Sequence, residues 1–462
     1  MVKLTNWNQI QFKAGAVTFQ SSDSHLNDGF KWARQQAMAY AHSGGDPVGL
    51  WYEAALPNRQ AFCMRDVAHH SIGAAVLGLN LHTKNMFMRF AENIAESRDW
   101  CTYWEITKDN VPAEVDYEND QDFWYNLPAN FDIIEASYRQ YLWTGDQDYR
   151  NDAIMLDFYR LTVENFVQTW DKDGDGILEY YPEYGRRGLA TYNEAGLQPL
   201  AGGDMIALQA AGYRAYARLL ELEGRLEESA AYAGKAGELE QRYDQEWWNA
   251  DKGRFFGAML QNRTFLEAYN AEGNFLPLYF GVIKDKSKLE KALEDLKRNR
   301  VANVEGKTYL PDVFYRYGLN EEALQELKEL VDPSLERRDY PEVSYCVVGS
   351  MASGLMGISA DGQSAITTMS RLSSGLEWAE LGSIPILNRT LTVRHNGIEE
   401  TTVTLQEGEP LLWKAVFHTN SGTMLHNGSP VQAATERSDG GDEYRYLMIQ
   451  VAEGETHRVS LG

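Results

Sequence analysis

Arg338-Asp-Tyr-Pro-Glu-Val-Ser-Tyr-Cys-Val-Val-Gly-Ser-Met-Ala-Ser-Gly-Leu-Met-Gly357 begins polar and aromatic and turns, within a few residues, into a run almost free of charge. A helix made from such a run has no polar face, so it must be surrounded by protein. At its N-terminal mouth Glu342 stands between Pro341 and Val343. There the unpaired backbone N–H groups and the helix dipole favour a carboxylate. A general base is well placed in such a position.

Outward from this stretch, helical periodicity reaches back to about Asp28 and predicts twelve segments. They are 28–41, 63–79, 82–95, 130–144, 150–170, 203–223, 225–247, 273–283, 285–299, 309–318, 320–332 and 343–357. The odd members are amphipathic and charged, as in Lys288-Leu-Glu-Lys-Ala-Leu-Glu-Asp-Leu-Lys297. The even members are poor in charge, as in Ile206-Ala-Leu-Gln-Ala-Ala-Gly-Tyr-Arg-Ala-Tyr-Ala217. Helices buried on all sides need one-sided helices around them, so the alternation predicts an (α/α)6 toroid of twelve helices. Connections from even to odd helices are short, as at Asn80, Gly145 and Gly224. Those from odd to even are long and rich in Asp, Glu, Trp, Tyr and Gly, the kind of loop that carries function.

Past Asp361 the pattern changes to period-two alternation, with Asn396-Gly397 and Asn427-Gly428 as hairpin turns. The expected organisation is a lead-in with short strands over 1–27, a catalytic barrel over 28–360, and a small antiparallel β domain over 361–462 that docks on the barrel.

With 43 basic against 67 acidic residues, the net charge of −24 argues against nucleic acid and anionic membranes as partners and suits a neutral or cationic ligand. Cys63, Cys101 and Cys346 are scattered without metal-type spacing, and no apolar run of signal-peptide or membrane-span length occurs. A cytoplasmic protein with reduced thiols is expected. The 12 Trp and 26 Tyr, many of them between helices, suit the stacking of sugar rings.

Each long loop delivers a polar cluster to the start of an even helix. The first carries Trp51 and the adjacent Arg65 and Asp66, which read equally as a sugar clamp or as a cap. His69 and His70 lack spaced partners and read as structural. The second carries Asp122, Trp124 and Tyr125, a sugar-binding wall. In the third, Asp171, Asp173 and Asp175 match the first half of a calcium loop, but Pro182 stands where the bidentate Glu belongs. A tight Asp/Gly turn is the preferred reading, with calcium the alternative, and no other cofactor is expected. Further on, Tyr192 precedes Asn193 and Glu194, and Asp204 follows Gly202-Gly203. A helix N-terminus is expected to keep the pKa of Asp204 low, whereas apolar neighbours raise that of Glu194. Glu194 is therefore the favoured general acid and Asp204 its rival. Tyr340 joins Glu342 at the last loop.

Paired helices, Asp-Gly-Asp-Gly before Thr191-Tyr-Asn-Glu194, Gly-Gly-Asp204 opening the sixth helix and a carboxylate before the twelfth resemble the six-hairpin glycosidases. The likeness is greatest to the processing α-glucosidase clan and the bile-acid β-glucosidase family. In the latter the matching loop has a catalytic Asp after Thr-Tyr; here that place holds Asn193, with Glu194 beside it. The resemblance implies an acid before helix six and a base before helix twelve, hence Glu194 and Glu342. The resulting expectation is an exo-acting, inverting glycosidase with a pair of carboxylates working on a neutral oligosaccharide or glycoside. A polysaccharide lyase, betrayed by an ultraviolet-absorbing double bond, and a sugar-binding protein without turnover are the alternatives.

Overall fold

The structure, a computed structural model, describes residues 14–194, 196–437 and 443–462. Helices dominate the chain up to Leu355 and strands dominate from Ser359 onward. The main helices are α1 (Ser24–Ala39), α2 (Met64–Val76), α3 (Asn80–Ala91), α4 (Pro128–Thr144), α5 (Ala153–Leu161), α6 (Gly203–Leu222), α7 (Leu226–Glu246), α8 (Ala271–Tyr279), α9 (Lys286–Asn299), α10 (Leu310–Arg316), α11 (Asn320–Val331) and α12 (Pro341–Gly349). Each falls within or close to one of the twelve expected segments. Two are prolonged by π-helical turns, α5 by Thr162–Phe166 and α12 by Ser350–Leu355. Among the described residues no helix is long and apolar enough to cross a membrane.

Charge alternation in the sequence becomes alternation of burial. In α9 only Ala292, Leu293, Asp295 and Leu296 are buried. In α6 and α12 nearly every side chain is. The charge-poor helices pack in succession, α2 on α4, α4 on α6, α6 on α8 and α8 on α10, with α10 meeting the π-helical extension of α12 and α12 returning to α2. The charged helices lie outside: α1 against α12 and α11, α7 against α6, α9 against α8.

The contact between α2 and α12 explains the small residues in the opening stretch. A Cβ built on Gly73 would lie 1.9 Å from the carbonyl oxygen of Tyr345, and one on Gly349 would lie 3.1 Å from the Gly73 nitrogen. The two backbones touch, and a methyl group would cost about 1–3 kcal/mol through overpacking. Asp66 stands seven residues before Gly73, and Glu342 seven before Gly349. Two helical turns above the glycine crossing, the two carboxylates therefore share the N-terminal end of this helix pair.

The strands form a seven-stranded and a five-stranded sheet. All pairings between these strands are antiparallel except that of Ala365–Thr368 with Leu411–Phe417, which is parallel. Asn427 and Gly428, at φ 49° and 82°, join Thr423–His426 to Ser429–Gln432 as a two-residue turn. The lead-in with short strands expected over 1–27 lies partly outside the described residues. What is seen is a strand, Thr18–Ser21, that adds to the edge of the larger sheet by pairing with Trp378–Ile386. The sheets dock on the helices through Trp143, whose indole donates to Pro385 O at 2.9 Å and whose carbonyl accepts from Leu387 N at 3.0 Å.

Candidate active site

The inner helices start at one end, and carboxylates cluster in their first turns: Asp66 on α2, Asp204 on α6, Glu272 on α8 and Glu342 on α12. Exposed N–H groups and the dipole favour anions there. Glu305, in the short helix Val304–Lys307, joins them.

Arg65 lies at the centre. Its guanidinium sits 4.8 Å from the Tyr192 ring and 5.7 Å from that of Tyr309, and its Nη2 is buried without a hydrogen-bond partner among the described residues. Glu342 is only 5% exposed. Burial, then the charges of Asp66 and Glu305, push its carboxyl well above the usual range against the pull of Arg65. Burial likewise pushes Asp66 up to about 7, with Arg65 opposing and Glu305 and Glu194 adding to the rise. Both carboxyls are thus held above the ordinary carboxylate range, first by burial. Glu194 is exposed at the mouth, yet loss of solvent and the neighbouring Glu305, Asp116 and Glu272 raise its carboxyl too. It lines a 220 Å³ pocket together with Trp124.

The other expected residues divide in two. Tyr192 is in place: its ring lies under Arg65 and its hydroxyl donates to Asp132 at 3.0 Å. Tyr340 caps α12 and is covered by Arg337 at 5.3 Å. Trp51 and Tyr125, expected to face sugar, are instead core residues at 0% exposure. The Trp51 indole is fixed by Asp46 at 2.7 Å and stacks on His42, and Tyr125 bonds to Asn130. Asp122 is on the surface, paired with Arg186 at 2.6 Å.

Asp204 departs from expectation in its chemistry. Burial outweighs the helix terminus and lifts its carboxyl to about 6, although Tyr192 N and the Thr191 hydroxyl both bond to it. With 0% exposure, it fixes the Thr191–Glu194 loop from behind. Asn193, which stands where the resembling family has an acid, donates to Glu272 at 2.8 Å. Sequence reading did not single out Glu272, Glu305, Tyr309 or Asp132. The first two occupy the same place in the helical repeat as Asp66 and Glu342, and that place was their signal. His69 stacks on Tyr309 at 3.5 Å and helps to floor the site. Asp171, Asp173 and Asp175 lie close together, within 4.8 Å, but backbone N–H groups, Arg242 and Arg263 already partner them.

Raised carboxyls make a prediction about stability. Asp132, pushed up to about 7, and Asp204, at about 6, bind protons in the folded state that an unfolded chain releases near 3.8. Their contribution is full below about pH 4 and is lost as pH rises through 6 to 7. For Asp204 the loss is about 3 kcal/mol. The Tm in calorimetry should therefore be a few degrees higher at pH 5.5 than at pH 8; equal values, or the reverse, would refute the burial argument.

Residues 179–311, which include Glu194, Glu272, Glu305 and Tyr309, match the family model of the mannosylglycerate hydrolase MGH1-like glycoside hydrolase domain. No curated protein matches the chain. Among solved structures it is similar to an α-L-rhamnosidase from Dictyoglumus thermophilum, at TM-score 0.65 and 13% identity, over 96% of this chain and 50% of that one. It is similar to a GH78 family rhamnosidase of Bacillus sp. GL1 at TM-score 0.62 and 12% identity, over 85% and 41%. A putative kojibiose phosphorylase from human microbiome gives TM-score 0.58 and 11% identity, over 94% and 63%. The chain thus spans about half the length of these proteins, and at such identities the likeness is one of fold.

Proposed function

We propose that this chain, a glycosidase of the six-hairpin superfamily, is an exo-acting, inverting hydrolase on an (α/α)6 toroid, with Glu194 as acid and Glu342 as base. The observation that carries the reading is the convergence of Glu194 and the Asp66–Glu342 pair on Arg65 at one end of the inner helices. Glu194, kept partly protonated, would give its proton to the glycosidic oxygen. Glu342 would take one from a water on the opposite face of the sugar, which calls for carboxyls about 6.5–9.5 Å apart. Arg65 would stabilise whichever member of the pair is ionised. A floor under the site favours end-on entry of a chain terminus, and Trp124 beside Glu194 suits a stacked ring.

The carboxylates near Arg65, namely Asp66, Glu194, Glu272 and Glu342, support a neutral sugar over a uronate, and water over phosphate as the acceptor. One observation favours a second reading: Glu342, the more deeply buried of the two, is the more natural proton donor, which would exchange the roles. The free, buried cysteines support a cytoplasmic setting. Proton NMR in the first minutes of turnover should show a sugar of inverted anomeric configuration, at the same rate with EGTA present. Retention would remove the water-activating base, and loss of rate in EGTA would add calcium at Asp171, Asp173 and Asp175.

A further inference from the structure

A second cavity, of about 700 Å³, lies at the other end of the inner helices, beyond His69 and Tyr279. It is lined by residues of α2, α4, α6, α8 and α10, by the π-helical turn Ser350–Leu355, and by Ile358–Ala360 and Arg371 on the way to the sheets. Its volume is that of a small-molecule site. In a chain of net charge −24 its lining is unexpectedly basic, with five arginines against Glu135 and Asp312.

Three of the five are occupied. Arg139 is paired with Glu135 at 2.6 Å, Arg218 with Glu221 at 2.7 Å, and Arg214 with Glu240. Arg316 makes no hydrogen bond or ion pair among the described residues. Among the described residues Arg371 spends only Nη1, on the carbonyls of Ser353 and Gly354 at 2.9 and 2.8 Å, and has no carboxylate in salt-bridge contact. Arginines at helix C-termini ordinarily serve the terminal carbonyls. Arg371 does so in part and Arg316 not at all. Tyr315, 3% exposed, lines the same cavity and has a buried hydroxyl without a hydrogen-bond partner among the described residues. Asp312 is the carboxylate that lines this part of the wall among the described residues, against the two arginines.

We infer that this cavity is a binding site for a small oxyanion-bearing metabolite, a phosphate ester or a carboxylate, held by Arg316, Arg371 and the Tyr315 hydroxyl. Guanidinium forks match both kinds of anion. It is separate from the carboxylate-lined mouth, where an anion would be repelled.

Titration calorimetry on the whole chain tests this, with inorganic pyrophosphate, malonate and neutral trehalose as probes at fixed ionic strength. One equivalent of pyrophosphate or malonate should bind, and whichever binds more tightly assigns phosphate ester or carboxylate. Arg316→Gln should weaken that binding roughly tenfold or more, the worth of a charged hydrogen bond, with Arg316→Lys in between. Because Arg316 is exposed, Tm and glycoside turnover without anion should be unchanged in both variants. No binding of either anion, or binding undiminished in Arg316→Gln of normal Tm, would overturn the assignment.

Discussion

Glu342→Gln should lower kcat by about 10³-fold or more on every glycoside tested, whatever its leaving group, while sugar binding in calorimetry stays within a few-fold of the wild type. The amide keeps the shape and the place at the first turn of α12 but cannot accept a proton from water. The neighbouring Asp66 does not rescue it, because it stands on the other helix of the pair. Asp66 is also fixed to α2, two turns above the Gly73–Gly349 crossing, so it cannot move into the vacated position without separating two helices in backbone contact. If Glu342→Gln retains a tenth of the wild-type kcat, the base lies elsewhere, and Asp66→Asn is the next variant to make. If instead its loss depends on the leaving group, Glu342 is the acid.

The helices were legible because burial writes itself into charge. A segment such as 285–299 can face solvent on one side only, whereas 206–217 cannot face it at all. The π-helical turns at Thr162–Phe166 and Ser350–Leu355 left no local trace, since the sequence there is as compatible with an unbroken α-helix. Pairing of Thr18–Ser21 with Trp378–Ile386 was equally invisible, because a contact across the length of the chain has no periodicity to read. In the candidate site, Arg65, Asp66 and Glu342 were singled out from their place in the repeat, and Glu194 with Tyr192 from the apolar loop and the family resemblance. Composition alone misled for Trp51 and Tyr125: an aromatic ring in a polar loop is written the same way whether it faces a sugar or, as here, Asp46 and Asn130. Asp204 failed for a different reason. A helix N-terminus lowers a carboxyl by its local field, but complete exclusion of water is the larger effect, and only the fold reveals it.

Glu194→Gln should divide substrates by leaving group. On a disaccharide, whose departing alkoxide needs a proton, kcat/KM should fall by about 10²–10⁴-fold. On a nitrophenyl glycoside, whose phenolate leaves without help, the fall should be tenfold or less. The wild-type pH profile should lose its alkaline limb on the latter substrate, since that limb reports the acid that must stay protonated. Exposure at the mouth makes this variant safe for the fold: Glu194 is not part of the buried set around Asp204, so its Tm should match the wild type. Asp204→Asn provides the contrast. It acts through the Thr191–Glu194 loop and should therefore lower Tm and depress both substrates by the same factor. Leaving-group dependence in Asp204→Asn, with none in Glu194→Gln, would transfer the acid to Asp204 and require the loop to open. The same dependence in Glu342→Gln alone would reverse the direction of proton flow across the site, with Glu342 donating and the exposed Glu194 activating the water.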